Sequence, residues 1–403
     1  MSGPLSGLRI VEITSVVMGP YAAQIMGDMG ADIIKVESGS GDTMRQNGKG
    51  RHPGMGPLFL QLNRSKRSIV LDLKNPAGRN ALLKIVETAD VFFFNLRPKS
   101  MQRLKLTYDD VARANPKIIY CGVRGFGEGG PYADKAAYDD MIQGASGITA
   151  LAAIADEGEP RYTTSSLTDR IAGMTAVYSI LAAVIHRERT GEGQALVVPM
   201  FERMVEFVLS DHLYGCIFEP PVGSHGYPRQ LVPQRRPYKT KDGYLSVMPY
   251  INKHWENFFT LIGQPELIDD PRFKDIAART EHIAEVYQIL ADALLEKTNA
   301  EWLPLLEEGD IPVMPMHTMD TVLEDPHLKA TGFYQMVDHP TEGRLRTMKV
   351  PVSWSKSQPE PDRQAPRLGE HGAEILREAG YSDDDIQALA ADGATDLLSD
   401  SER

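Results

Sequence analysis

Asp169 is the residue of this sequence best placed for covalent chemistry. It ends the run Ser165-Ser166-Leu167-Thr168-Asp169, just before an apolar stretch in which Ile171, Met174, Val177, Ile180, Leu181, Val184 and Ile185 recur at helical spacing. A carboxylate at the mouth of a buried helix has two uses. It can cap free N–H groups and interact favourably with the helix dipole, which is purely structural. It can also attack a carbonyl, because its lone pairs are available at neutral pH, and form a covalent acyl intermediate. Ala172 and Gly173 leave one side of the first helical turn open to close approach, so a cleft floored by this acid fits the pattern. The residues alone leave both uses open.

Other groups could converge on the same cleft. Arg124 to Tyr132 reads RGFGEGGPY, a loop whose glycines permit a close backbone approach to a ligand, and Lys135, Tyr138 and Asp139 follow it. Asn95 and Arg97 stand at the end of the apolar tract Ala89 to Phe94. Arg45, Arg64, Arg97 and Lys135 are cations of the kind that hold a phosphorylated cofactor, although each is equally at home on a solvated surface.

The elements that must position these groups follow an alternating pattern. Leu8 to Thr14 is predicted as a buried strand, Tyr21 to Met29 as a helix closed by Gly30, and Ala31 to Glu37 as a second strand. That order implies a right-handed crossover in a parallel sheet, which sets the Val17 to Pro20 turn near the carboxyl ends of the strands, where open sheets bind ligands. The turn has no GxGxxG, so no nicotinamide or flavin site is expected. Further strands are expected at 69–73, 89–94, 118–123 and 194–199, with helices between them. The stretch Gly48 to Pro57 reads as a surface loop.

Near Glu219 to Pro228 proline and glycine accumulate and a domain boundary is expected. Beyond it come short strands, helices near 253–261, 280–296 and 300–308, and a core built on Trp255, Phe258 and Phe259. Strands at 333–337 and 348–352 are expected to return to the first domain, followed by a helix ending near Gly380, a short helix and an acidic tail. The large domain is thus expected over 1–222 and 331–403, and a small domain with linkers over 223–330.

Composition narrows the functions. A chain of 403 residues with 42% hydrophobic and 24% charged residues has the make-up of a soluble enzyme of two domains. Its formal net charge of -12 argues against a general nucleic-acid binder, which needs a concentrated basic surface. The two cysteines, Cys121 and Cys216, form no CxxC or ligand cluster, so neither a structural metal nor a disulfide framework is expected. No secretory leader is read at the N-terminus and no segment is read as a membrane span, so a cytoplasmic location is expected.

In combination, LRIVEIT, GADIIKVE, GDTMR, NRSKRSIVLDL, ADVFFFNLRP, RGFGEGGPY, Asp169 before its small-residue helix, HRERTGEGQ and PRLGEHGAEIL resemble the class III CoA-transferase family, which also includes alpha-methylacyl-CoA racemases. The resemblance runs over essentially the whole chain. It implies an α/β fold in which an open, mostly parallel, Rossmann-like sheet is built from both ends of the chain, with a smaller α+β domain inserted. It also implies an interlocked homodimer, coenzyme A thioesters as substrates and no tightly bound cofactor. The family's catalytic aspartate falls on Asp169, whose position at the helix entrance is expected to keep it ionised. CoA contacts carried over are Val17 and Met18 near the reactive end, Asn95, Leu96 and Arg97 along the nucleotide portion, Arg103 and Lys105 beyond it, and Lys135. Arg45 and Tyr138 complete the candidate binding set.

Two departures bear on substrate. Ser15 and Val17 stand where the formyl-transferring member has histidine and glutamine, and Val222 to Arg229 does not reproduce its four-glycine loop. An acid larger than formate or oxalate is therefore expected as acceptor, and the positive charge of His225, Arg229, Arg235 and Arg236 points toward a dicarboxylic one. The racemase alternative needs a proton acceptor opposite Asp169, and no histidine occurs between His52 and His186.

Overall fold

The computed structural model describes residues 3–397; the acidic tail expected from the sequence lies outside them. The first half of the chain alternates strands and helices: β1 (Arg9–Ile13), α1 (Met18–Asp28), β2 (Asp32–Glu37), α2 (Pro57–Leu62), β3 (Lys66–Leu71), α3 (Pro76–Val86), β4 (Val91–Phe94), α4 (Pro98–Leu104), α5 (Tyr108–Ala114), β5 (Ile119–Arg124), α6 (Asp139–Ala145), α7 (Ile148–Asp156), α8 (Leu167–Thr190), β6 (Gln194–Pro199) and α9 (Met200–His212). Then follow β7 (Tyr238–Lys239), β8 (Tyr244–Val247), α10 (Asn252–Leu261), α11 (Ile276–Glu281), α12 (Ile283–Leu294), α13 (Asn299–Glu308), β9 (Val313–Pro315), α14 (Met319–Val322) and α15 (Pro326–Ala330). The last elements are β10 (Tyr334–His339), β11 (Gly343–Met348), α16 (Gly372–Glu378), α17 (Asp383–Ala391) and β12 (Thr395–Asp396).

Two compact units emerge, one formed by the chain up to Ala145, Thr164–Val205 and the chain from Lys329, the other by Ser146–Thr163 and Glu206–Leu328. The first holds a seven-stranded sheet in the order β12-β3-β2-β1-β4-β5-β6. All neighbours in it are parallel except β12, which runs antiparallel to β3. The order 3-2-1-4-5-6 is that of a doubly wound sheet, and its direction of build reverses between β1 and β4. Ile10, Val11, Phe92 and Phe93 are entirely buried there, as the centre of a sheet covered on both faces requires.

Several elements differ from expectation. α1 starts at Met18 rather than Tyr21, because Pro20 falls in its first turn, where no N–H is needed. The strands expected near 333–337 and 348–352 are instead the hairpin β10–β11, paired through Tyr334–Met348 as a separate two-stranded sheet. The C-terminal part reaches the large sheet through β12. The helix expected over 280–296 breaks at His282 into α11 and α12. The expectation that no segment matches a membrane span is corrected by α8, which by length and composition could cross one, yet half of its apolar window is buried against α1, α6, β5 and β6.

The second unit has the antiparallel sheet β7-β8-β9 and a core of Trp255, Phe258, Phe259, Phe273, Tyr287, Leu290 and Trp302. Aromatic rings at helical spacing on α10 supply its centre.

Candidate active site

A cavity of about 360 Å³ opens beyond the carboxyl ends of β1 and β4, where the strand order reverses. Its walls are Ser15 to Met18 between β1 and α1, Asn95 to Pro98 after β4, Arg124 and Gly125 at the end of β5, Lys135 to Asp139, Asp169 of α8, and Met200. The fold thus brings together Val17, Met18, Asn95, Leu96, Arg97, Lys135, Tyr138 and Asp169. Arg45, Arg103 and Lys105 lie outside this lining. Arg45 is 2% exposed, and its guanidinium forks onto both oxygens of Glu37 at 2.7 and 2.8 Å while stacking over Phe59. Arg103 donates to Ser100 Oγ on the exposed side of α4, and Lys105 ends that helix in the left-handed conformation. Arg64 is likewise spent, on Asp28.

Asp169 sits in the first turn of α8 and is half-buried. The cap is supplied by another residue. Asp139 Oδ1 accepts both the backbone N–H of Asp169 at 2.9 Å and Thr168 Oγ1 at 2.7 Å, so α6 closes the helix from outside. The Asp169 carboxylate itself accepts no hydrogen bond among the described residues. Burial, then the charge of Asp139, push its pKa up to about 7, with Arg170 pulling weakly the other way. This corrects the expectation that the helix entrance keeps the acid fully ionised: desolvation outweighs the dipole, and the acid titrates near neutrality.

The side of the helix left open by Gly173 is occupied by the chain's own α1. A Cβ on Gly173 would stand 2.8 Å from the Met18 carbonyl oxygen, so glycine lets α8 close onto the turn that forms the opposite wall. The glycines after β5 also meet protein. A Cβ on Gly125 would strike Ala137, and Gly127 donates its N–H to Glu202 Oε1 at 2.8 Å.

Asn95 faces inward to the backbone rather than outward. Its Oδ1 accepts the Ser15 N–H at 3.2 Å and its Nδ2 donates to the Ser15 carbonyl at 2.8 Å, a two-way clamp between the ends of β1 and β4. Lys135 rests its ammonium 4.1 Å from the centre of the Tyr132 ring, and Tyr138 is 67% exposed.

Sequence reasoning passed over Arg124 and the cap role of Asp139. Arg124 carried the same signal as Arg97, a cation at the end of a parallel strand. Its side chain is 13% exposed, its Nη1 meets the outlying Glu128, and its buried Nε has no hydrogen-bond partner. Nothing in the sequence ties Asp139 to a helix start thirty residues later. Among the described residues no cluster of three His, Cys, Asp or Glu side chains could hold a metal ion.

Comparisons with known proteins identify the family. The sequence profile of CoA-transferase family III matches residues 5–372. Human succinyl-CoA:glutarate CoA-transferase is 31% identical over 399 residues, covering 98% of this chain and 90% of that protein. Formyl-CoA:oxalate CoA-transferase of Escherichia coli O139:H28 is 30% identical over 412 residues, covering 96% and 99%. A crystal structure of a CAIB/BAIF family protein from Brucella suis superposes with a TM-score of 0.79 at 31% identity, covering 94% of this chain and all of that one. Profile, relatives and fold converge: the chain belongs to CoA-transferase family III and is an enzyme that moves coenzyme A between an acyl-CoA thioester and a carboxylate.

Proposed function

We propose that Asp169 is the nucleophile and that the enzyme carries CoA from succinyl-CoA or a similar dicarboxylic thioester to a free acid larger than formate or oxalate. The observation that carries this reading is the Asp169 carboxylate, half-buried on the cavity wall and accepting no hydrogen bond among the described residues. Its oxygen attacks the donor thioester carbonyl, the C–S bond breaks, and an acyl–aspartyl anhydride and CoA thiolate result. The thiolate attacks the Asp169 acyl carbon, expelling the donor acid and leaving an aspartyl-CoA thioester. The acceptor carboxylate attacks that thioester and releases thiolate, which then attacks the acceptor carbonyl of the new anhydride. Acceptor acyl-CoA leaves and the Asp169 carboxylate is restored, with no net proton or water consumed.

The remaining walls suit the two substrates differently. Arg97 and Lys135 are exposed and fit the phosphates of CoA, with Leu96 beside Arg97 along the nucleotide portion, whereas Val17, Met18 and Tyr138 supply apolar surface toward the thioester end. Arg103 and Lys105, exposed on and after the helix that starts at the cavity rim, are within the nucleotide's reach in this reading. Arg45, committed to Glu37, is assigned no contact. Arg124, a cation on the cavity wall, favours a second carboxylate on the substrate, which a guanidinium binds well. The named activity of the human relative, between succinyl-CoA and glutarate, agrees with that choice.

The working form is a cytosolic, interlocked homodimer without membrane or nucleic-acid partners. Met174, Tyr178 and Ile185, exposed along one stripe of α8, support burial by a second copy.

Mass spectrometry of CoA products after incubation with succinyl-CoA and a panel of mono- and dicarboxylic acids tests the reading. Formation of acceptor acyl-CoA with matching loss of succinyl-CoA is expected. Deuterium uptake at the alpha carbon without acyl exchange would replace it with a racemase.

A further inference from the structure

The turn between β1 and α1 holds a residue that should not be there. Val16 has a φ of 74°, in the left-handed region, where a β-branched side chain is sterically opposed. Glycine would normally fill such a position. Strain of this kind persists only where the surroundings over-determine the backbone.

They do so here through side chains from three elements. Asp42, 3% exposed in the loop after β2, accepts the Val16 N–H on Oδ1 at 3.1 Å. Its Oδ2 accepts from Lys35 Nζ of β2 at 3.0 Å, and that fully buried ammonium also donates to the Thr14 carbonyl at 2.9 Å. Between those two anchors, Asn95 at the end of β4 clamps Ser15 from both sides. Thr14, Ser15 and Val16 are thus tied in succession, and the next two residues, Val17 and Met18, are cavity wall. Met18 in turn backs onto Gly173, one helical turn beyond Asp169.

We propose that Asp42, carried by Lys35, is a positioning residue of the transfer site: it holds Val16 in its strained conformation and so fixes the Val17–Met18 wall against the helix that presents Asp169. This rests on the reading of Asp169 and its cavity as the place of reaction. The pair could instead be a purely structural buried ion pair, and the two roles differ in one measurable respect. If the task of Asp42 is to impose a conformation that valine resists, the need for Asp42 must shrink when residue 16 is one that adopts that conformation freely.

A double-mutant cycle between D42N and V16G reads this directly. The amide keeps the shape of Asp42 but accepts through one atom only, so it cannot serve both Lys35 and the Val16 N–H. D42N is expected to lower kcat on the order of 10²-fold, the size of effect a misplaced wall produces. In the V16G background the same substitution should cost under about tenfold, and V16G alone should raise Tm by about 2 °C through relief of strain. Equal losses from D42N in both backgrounds, or an unchanged kcat in D42N, would overturn the proposal. A D42N chain that fails to fold also decides: folding restored in the double variant supports the coupling, and continued failure refutes it. Asp169→Ala is the control that separates the two readings, since residual transfer there would displace the site itself, whatever the cycle shows.

Discussion

Glu37 and Asp169 are two carboxylates of the same compact unit, both withdrawn from water, and their pKa values are shifted in opposite directions. Burial alone would push both upward. At Glu37 that push is overcome by the hydrogen bonds and charge of Arg45, by Lys35 and by Ser68, and the pKa falls to about 2. At Asp169 the like-signed charge of Asp139 adds to that push, the weak opposing pull of Arg170 does not overcome it, and the pKa rises to about 7. The fold spends its arginine on the acid that holds the sheet and its loops together. It puts no arginine in hydrogen-bond contact with Asp169 among the described residues, which leaves those oxygens free to bond to carbon.

The strongest way to break this comparison is to remove each acid's defining feature. Asp169→Ala is expected to lower CoA transfer by about 10⁴-fold or more, the scale seen when a covalent nucleophile is lost, with far-UV CD and oligomeric state unchanged. Near-normal turnover would mean that the unpaired acid is not the nucleophile. Arg45→Met does the opposite job, stranding a buried Glu37 without its cation, and should cost about 3–5 kcal/mol in urea unfolding. If it instead left stability intact and weakened only CoA binding, Arg45 would belong to the substrate after all.

The pH profile sharpens the contrast at smaller scale. Attack needs the ionised carboxylate, so kcat/KM should rise with pH along a limb centred near 7, the value burial and Asp139 give to Asp169. Asp139→Asn keeps an oxygen for the Thr168 hydroxyl and the Asp169 N–H but removes the repelling charge, so the limb should move to lower pH. A limb unmoved by that substitution would assign it to another group.

How much of this was legible in sequence depended on range. Runs such as RIVEI and VFFF announce strands that are buried on both faces, and their alternation with helices gives the parallel sheet. Gly173 and the acid before the apolar run mark the entrance of α8 correctly. The terms that set the chemistry are tertiary. Glu37 and Arg45 are eight residues apart, but only the turn through Asp42 shows that they face each other, which is why Arg45 read as a phosphate ligand. Asp139 reaches Thr168 and the Asp169 N–H across 29 and 30 residues, so the cap that frees the Asp169 carboxylate left no local trace. The β10–β11 hairpin was misplaced because residues 348–352 read as strand-like while the pairing is set by the turn at Pro340 to Glu342.

The smallest expected effect is thermodynamic and follows from the same raised pKa. In the unfolded chain Asp169 ionises with an ordinary carboxylate pKa near 4, whereas in the folded chain it holds its proton up to about 7. Between those values the folded state binds the extra proton, so this group's contribution to stability is fully present below pH 4 and is lost as pH rises through 7. Asp169→Asn cannot ionise and loses nothing over that window. Thermal melts of the two proteins should therefore nearly coincide at pH 4.5 and separate progressively toward pH 8, with the variant melting higher. Glu37 works with the opposite sign, since its stabilising ionisation is lost only in strong acid, as pH falls toward 2. A variant that melted lower than its parent at pH 8 would mean that the ionised Asp169 has a stabilising partner, and the contrast between the two acids would collapse.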